Sequence, residues 1–131
     1  MHQFHRKFFT FLAIVLVAGG LVACRSGVVY NVVNDQFTMT APSLAEAEKT
    51  IKLAGASLGW QVKQASPGKL IATLPIRTHV AIVDITHDTK QFSIMYKDST
   101  NLDYDGTNIH SNYNGWIQNL QKAIVARSSV Y

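Results

Sequence analysis

Apolar positions fall into three textures along this chain. There is one unbroken block, two stretches that recur every third or fourth residue, and several short alternating runs. The recurrent stretches predict helices. Leu44, Ala47, Ile51, Ala54 and Leu58 share one helical face. Ser43 is placed to cap its first turn, and Glu46 completes a capping box. Gly59 is suited to end this helix in a left-handed conformation. A second helix is expected to start near Ser111 or Asn112 and to bury Tyr113, Trp116, Ile117, Leu120 and Ile124.

The alternating runs predict strands. Residues 28–33, Val-Val-Tyr-Asn-Val-Val, are β-branched and apolar and read as a first strand. Trp60 and Val62 alternate with Gln61 and Lys63 in a half-buried strand. Ser66-Pro67-Gly68-Lys69 fits a type II turn, with Pro second and Gly third. Leu70, Ala72, Leu74 and Ile76 then face one way, and Pro75 places this strand at an edge or at its end. Val80 to Thr86 is nearly continuous apolar, a central strand whose one charge is Asp84. Asp88-Thr89-Lys90 turns the chain, and Phe92, Ile94 and Tyr96 mark one face of the last strand. Residues 97–112 form a polar loop. The order β-α-β-β-β-α predicts an α+β fold, an antiparallel sheet of about four strands with two helices packed on one face.

The unbroken block lies near the N-terminus, and its flanks change its meaning. Arg6 and Lys7 precede it, Phe8 to Val17 is interrupted only by Thr10, and Ala18-Gly19-Gly20 loosens it near its end. This is the three-part grammar of an export signal. The stretch from Phe8 to Ala23 is about 16 residues, short of the roughly 20 that span a bilayer. Leu21-Val22-Ala23-Cys24 resembles the lipobox of bacterial lipoproteins, and Cys24 is the only cysteine. The resemblance implies that residues 1–23 are removed and that Cys24 becomes the lipid-bearing first residue. A diacylglyceryl thioether and an N-acyl chain there would anchor the protein stably, since two lipid signals hold where one is marginal. Residues 24–27 would be the lipidated cysteine and a short tether, and 28–131 a single globular domain. In Gram-negative bacteria an Asp after the cysteine retains such proteins in the inner membrane. Arg25 at that position implies the outer membrane, facing the periplasm.

Composition narrows the partners. The chain has 12 basic and 8 acidic residues, a net charge of +4. Arg6 and Lys7 leave with the signal, so the mature chain has 10 against 8, a net charge of +2. No basic stripe supports a nucleic-acid partner. With Cys24 carrying lipid the domain has no disulfide, and its stability must come from a hydrophobic core. About 107 residues can supply one.

A further pattern spans roughly residues 45–126. Gly59-Trp60, Pro67-Gly68, His79-Val80-Ala81, Tyr96, Ser99, Asn101-Leu102, Tyr104, Ile109-His110, Asn112-Tyr113-Asn114, Trp116, Asn119-Leu120 and Ile124 are similar to a pattern in small proteobacterial lipoproteins. Such proteins often carry a basic residue where Gly115 stands. The resemblance implies no catalytic residues and no cofactor.

Three chemistries can be assembled on the polar residues. Asn101, Asp103 and Asp105 with Gly106 approximate the start of a calcium loop. The first ligand is Asn, however, and position twelve is Asn112, which offers no bidentate carboxylate. An Asp-Gly turn is the simpler reading. His79, His87 and His110, with Asp84, are the possible transition-metal ligands. His79 and His87 flank one strand at about 26 Å, so any pair must include His110. A Ser99–His110–Asp triad lacks a nucleophile-elbow motif, and these residue types more often bond turn backbone. Asp84 needs a partner if buried, with Arg77 and His110 the nearest candidates in sequence logic, and otherwise faces water beside Val80 and Ile82. The expected function is a non-enzymatic, lipid-anchored envelope lipoprotein whose domain binds an envelope protein or glycan. A small-ligand or calcium-binding module is the alternative, and an envelope hydrolase the next.

Overall fold

The longest alternating runs form the middle of the molecule. In the computed structural model, which describes residues 25–131, the chain orders as β1 (Ser26–Val28), β2 (Val32–Gln36), α1 (Leu44–Ser57), β3 (Gln61–Ser66), β4 (Lys69–Ile76), β5 (His79–His87), β6 (Gln91–Thr100), β7 (Asn108–His110) and α2 (Ser111–Arg127). Five strands make one antiparallel sheet in the order β2-β6-β5-β4-β3, and β1 and β7 pair as a separate ribbon. The fold is α+β, as expected, with one more strand in the meander than the β-α-β-β-β-α order allowed.

Period two sorts this sheet into faces. Leu70, Ala72 and Leu74 of β4, Ala81, Val83 and Ile85 of β5, and Phe92 and Ile94 of β6 are buried on one face. Ile51 and Ala54 of α1 and Tyr113, Ile117, Leu120 and Ile124 of α2 meet them in a single core cluster. Ile71, Val80, Ile82 and Asp84 lie on the other, half-exposed face, where no element among the described residues covers them. β5 is the central strand, as its apolar run predicted.

The helix ends follow their sequence signals, except that the Glu46 side chain returns no bond to the Ser43 N–H and the capping box is half made. Ser43 Oγ accepts from the Glu46 N–H at 3.1 Å. Gly59 has φ +88°, its N–H reaches Ala56 O at 3.2 Å, and the Trp60 N–H reaches Gly55 O at 2.9 Å. Those two bonds form a Schellman closure. Leu58 falls on the cap rather than in the helix, so it is 40% exposed instead of buried. At Gly55 the helix packs closely against β3. A Cβ there would lie 2.7 Å from Val62 Cγ2 and 3.3 Å from Trp60 Cβ.

Three expectations need correction. The first strand, read as 28–33, is two strands, because Val29 to Asn31 cross from the ribbon to the main sheet. The Val29 N–H bonds to Thr107 O, the Tyr30 N–H to Asn114 Oδ1, and Asn31 Oδ1 accepts from the Tyr96 N–H. Ser26 and Gly27, read as tether, are the first residues of β1. The loop read as 97–112 is shorter, because β6 runs on to Thr100. Lys97 is the extra residue of a bulge between Val83↔Tyr96 and Ile82↔Asp98, which turns Ser99 inward opposite Ala81. For Pro75 the strand-end reading holds and the edge reading does not, since β4 stops at Ile76. β4 lies inside the sheet, but β3 begins opposite Thr73, so β4 has no partner on that side at Pro75 and no ladder bond is lost.

Candidate functional site

Most polar residues singled out from the sequence gather at one end of the sheet, where the β4–β5 hairpin, the 101–107 loop and the start of α2 meet. His79 opens β5, and its Nδ1 lies 2.6 Å from Asn101 O. A carbonyl only accepts, so Nδ1 carries the proton. The Asn101 amide donates to Thr78 Oγ1 at 2.9 Å. His110 is the N-cap of α2, and its Nδ1 accepts from the Asn112 N–H at 3.1 Å. The cap is thus His110 itself, one residue before the expected start. The two rings are 6.4 Å apart, and Trp116 lies 6.2 Å from His79. His87 stands at the other end of β5, as the strand spacing required.

This brings His79 and His110 together but does not make them a ligand pair. With the His110 Nδ1 lone pair engaged by a backbone N–H, the neutral ring carries its proton on Nε2. Only His79 then presents a free nitrogen lone pair. Among the described residues, no group of three or more His, Cys, Asp or Glu side chains is gathered to hold a metal ion.

The 101–106 loop is built as a turn. Asn101, Asp103 and Gly106 have positive φ values of 58°, 52° and 101°, and Leu102 is buried between the first two. Asp105 Oδ1 accepts from the Thr107 N–H at 2.9 Å and the Asn108 N–H at 2.7 Å. Bonds from the Asn108 and then the Thr107 backbone hold its carboxyl below the usual carboxylate range. Two N–H donors aimed at one oxygen suit an Asx turn and work against a cation at that same oxygen.

Ser99 and Asp84 are also committed locally. Ser99 Oγ is 2.8 Å from the Tyr96 hydroxyl, and the Ser99 N–H bonds to Asp98 Oδ1. His110 is engaged in its cap, so no nucleophile–base hydrogen bond joins it to Ser99. Asp84 faces water on the open side of the sheet, 3.5 Å from the bulged Lys97 rather than beside Arg77 or His110. Behind Ser99, Tyr96 stacks on Tyr104 at 4.0 Å and meets Tyr113 edge-on at 5.7 Å. Tyr113 is fully buried with its hydroxyl unpartnered, and desolvation pushes its ionisation well above the usual tyrosine value.

The chain enters this same end. Arg25 O accepts from the Ser111 N–H at 2.8 Å, and β1 pairs with β7 through Ser26↔His110. Asn114 joins them by donating to Val28 O at 2.9 Å. Cys24 and residues 1–23 lie outside the described residues. No helix among the described residues is long and apolar enough to cross a membrane.

A feature not anticipated from the sequence lies at the opposite edge of the sheet. A groove of about 520 Å³ runs between α1 and β3, lined by Ala45, Glu48, Lys49, Lys52, Leu53 and Gln64. Its only sequence signal is the set of polar positions Glu48, Lys49 and Lys52 away from the apolar face of α1.

No family model, curated protein or solved structure matches the chain.

Proposed function

We propose that this chain is a lipid-anchored lipoprotein of the bacterial cell envelope, placed at the outer membrane and facing the periplasm, and that its domain is a non-enzymatic interaction module. The observation that carries the proposal is the order of its parts. A basic and then apolar leader ends in Leu21-Val22-Ala23-Cys24, and backbone bonds tie the chain to the domain from the next residue, Arg25. A lipid on Cys24 would hold the domain against the bilayer with no linker between them. That geometry suits a protein whose partner lies at or near the membrane surface. The uncovered sheet face, and polar groups at the sheet end that serve turns and caps, support binding over catalysis.

Metabolic labelling with a fatty-acid analogue tests the anchor. Wild type should incorporate label, and Cys24→Ser should incorporate essentially none while accumulating as the unprocessed precursor. Equal labelling of both would place the anchor elsewhere and remove the localisation with it.

A further inference from the structure

The five-stranded sheet has two edges, and they are not equivalent. β2 is bent by a bulge, with Asn34 at φ 51° between Val32 and Asp35. β3 runs from Gln61 to Ser66 without proline and keeps regular register with β4 from Gln61 to Gln64. All its residues but Val62 are exposed. Among the described residues no strand pairs its outer side, so a row of backbone N–H and C=O groups is left open as a template.

This edge has a groove beside it. Gln64 and Val62 turn toward α1, and the groove between helix and strand has Ala45 and the 40% exposed Leu53 among its walls. An added strand places every second side chain on that side. Strand addition draws affinity from main-chain bonds and specificity from such recesses for alternate side chains.

The charge around the edge is mostly of one sign. Lys49 and Lys52 stand on the groove side, and Lys63 and Lys69 on the outer side. Lys52 pairs with Glu48 at 2.7 Å. Lys49, Lys63 and Lys69 belong to no ion pair among the described residues. A second copy is a poor occupant, because antiparallel pairing of two β3 strands about their middle brings Lys63 close to its own image, and like charges there are destabilising.

We infer that β3 is the docking edge of this domain for an extended acidic segment of another protein. The segment adds as a sixth strand, sets aliphatic side chains into the α1 groove and presents carboxylates to Lys63 and Lys69 on the outer side. This rests on the interaction-module reading and specifies its surface and the chemistry of its partner. The N-terminal strand β1 pairs with β7 in a separate ribbon, so it does not occupy the β3 edge.

The test titrates the full chain, purified in detergent, with a short peptide alternating Glu and Val while amide hydrogen exchange is followed. Binding should slow exchange across residues 61–66. The Lys63→Glu/Lys69→Glu variant, altered only at exposed positions, should bind roughly tenfold more weakly. Methylating the peptide nitrogens that face β3 should abolish binding, and methylating the alternate ones should not. Each of four results overturns the inference: equal affinity for a Lys-for-Glu peptide, protection confined to another strand, protection on concentrating the protein without peptide, or none at millimolar peptide. A photocrosslinker at Ile82 in intact cells separates the two proposals. Capture of an envelope protein or glycan through the open sheet face, with the peptide failing, would leave the interaction module standing and remove β3 as its edge.

Discussion

Two aspartates serve as small structural clamps, and their chemistry makes a pH signature. Asp88 Oδ1 accepts from the Lys90 N–H at 2.6 Å and the Gln91 N–H at 2.8 Å, closing the β5–β6 hairpin. The Lys90 bond and then the Gln91 bond lower its pKa, as the Asn108 and Thr107 bonds do for Asp105. A carboxylate depressed in the folded state stabilises fully above its unfolded value, near 3.9, and loses that contribution as pH falls through the folded value. Thermal melts should therefore show a falling midpoint from about pH 5 downward. Asp88→Asn keeps an acceptor oxygen but no titrating proton, so its midpoint should fall less steeply over that interval. A slope identical to wild type would show that the β5–β6 clamp contributes nothing to acid sensitivity.

At the scale of elements, the contact between α1 and β3 depends on a missing side chain. Gly55 is a poor helix former, disfavoured by about 1 kcal/mol relative to Ala, yet it sits in the last turns of α1 facing Val62 and Trp60. The cost is accepted because the Val62 and Trp60 side chains leave no room for a Cβ. Gly55→Ala should destabilise the domain by about 1–2 kcal/mol, the overpacking penalty exceeding the propensity gain. In a Val62→Ala background the same change should become neutral or favourable, and denaturant unfolding of the four chains would measure the coupling. Additive effects would place the strain elsewhere.

The whole molecule is organised by the entry of its chain. The Arg25 carbonyl is held by the α2 N-terminus, and Ser26 is already paired with His110. A membrane attached at Cys24 would therefore face the end that carries His110 and Asn112. A photoreactive side chain at the exposed Asn112 should label lipid headgroups in the anchored protein. A flexible Gly/Ser insertion between Cys24 and Arg25 should reduce that labelling severalfold, because each added residue extends the reach by about 3.3–3.6 Å. It should leave the melting midpoint unchanged. Undiminished labelling would show that the ribbon end does not face the bilayer.

What could be read along the chain was whatever depends on near neighbours. Both helices, their buried faces, the Ser43 cap, the Gly59 closure, the Pro67-Gly68 turn and the central place of β5 follow from periodicities and turn chemistry spanning only a few residues. The separation of His79 from His87 along one strand is of the same kind. The pairing of β1 with β7, the bulges at Asn34 and Lys97, His110 as a cap and the approach at Gly55 join residues that are distant in sequence or obey no period. Each is decided when two elements pack, because a bulge or a missing Cβ gains its value only from the partner across from it. The α1–β3 groove and the open β3 edge belong to that class, since exposed lysines on a helix and a strand read as separate solvated faces until the fold sets them side by side.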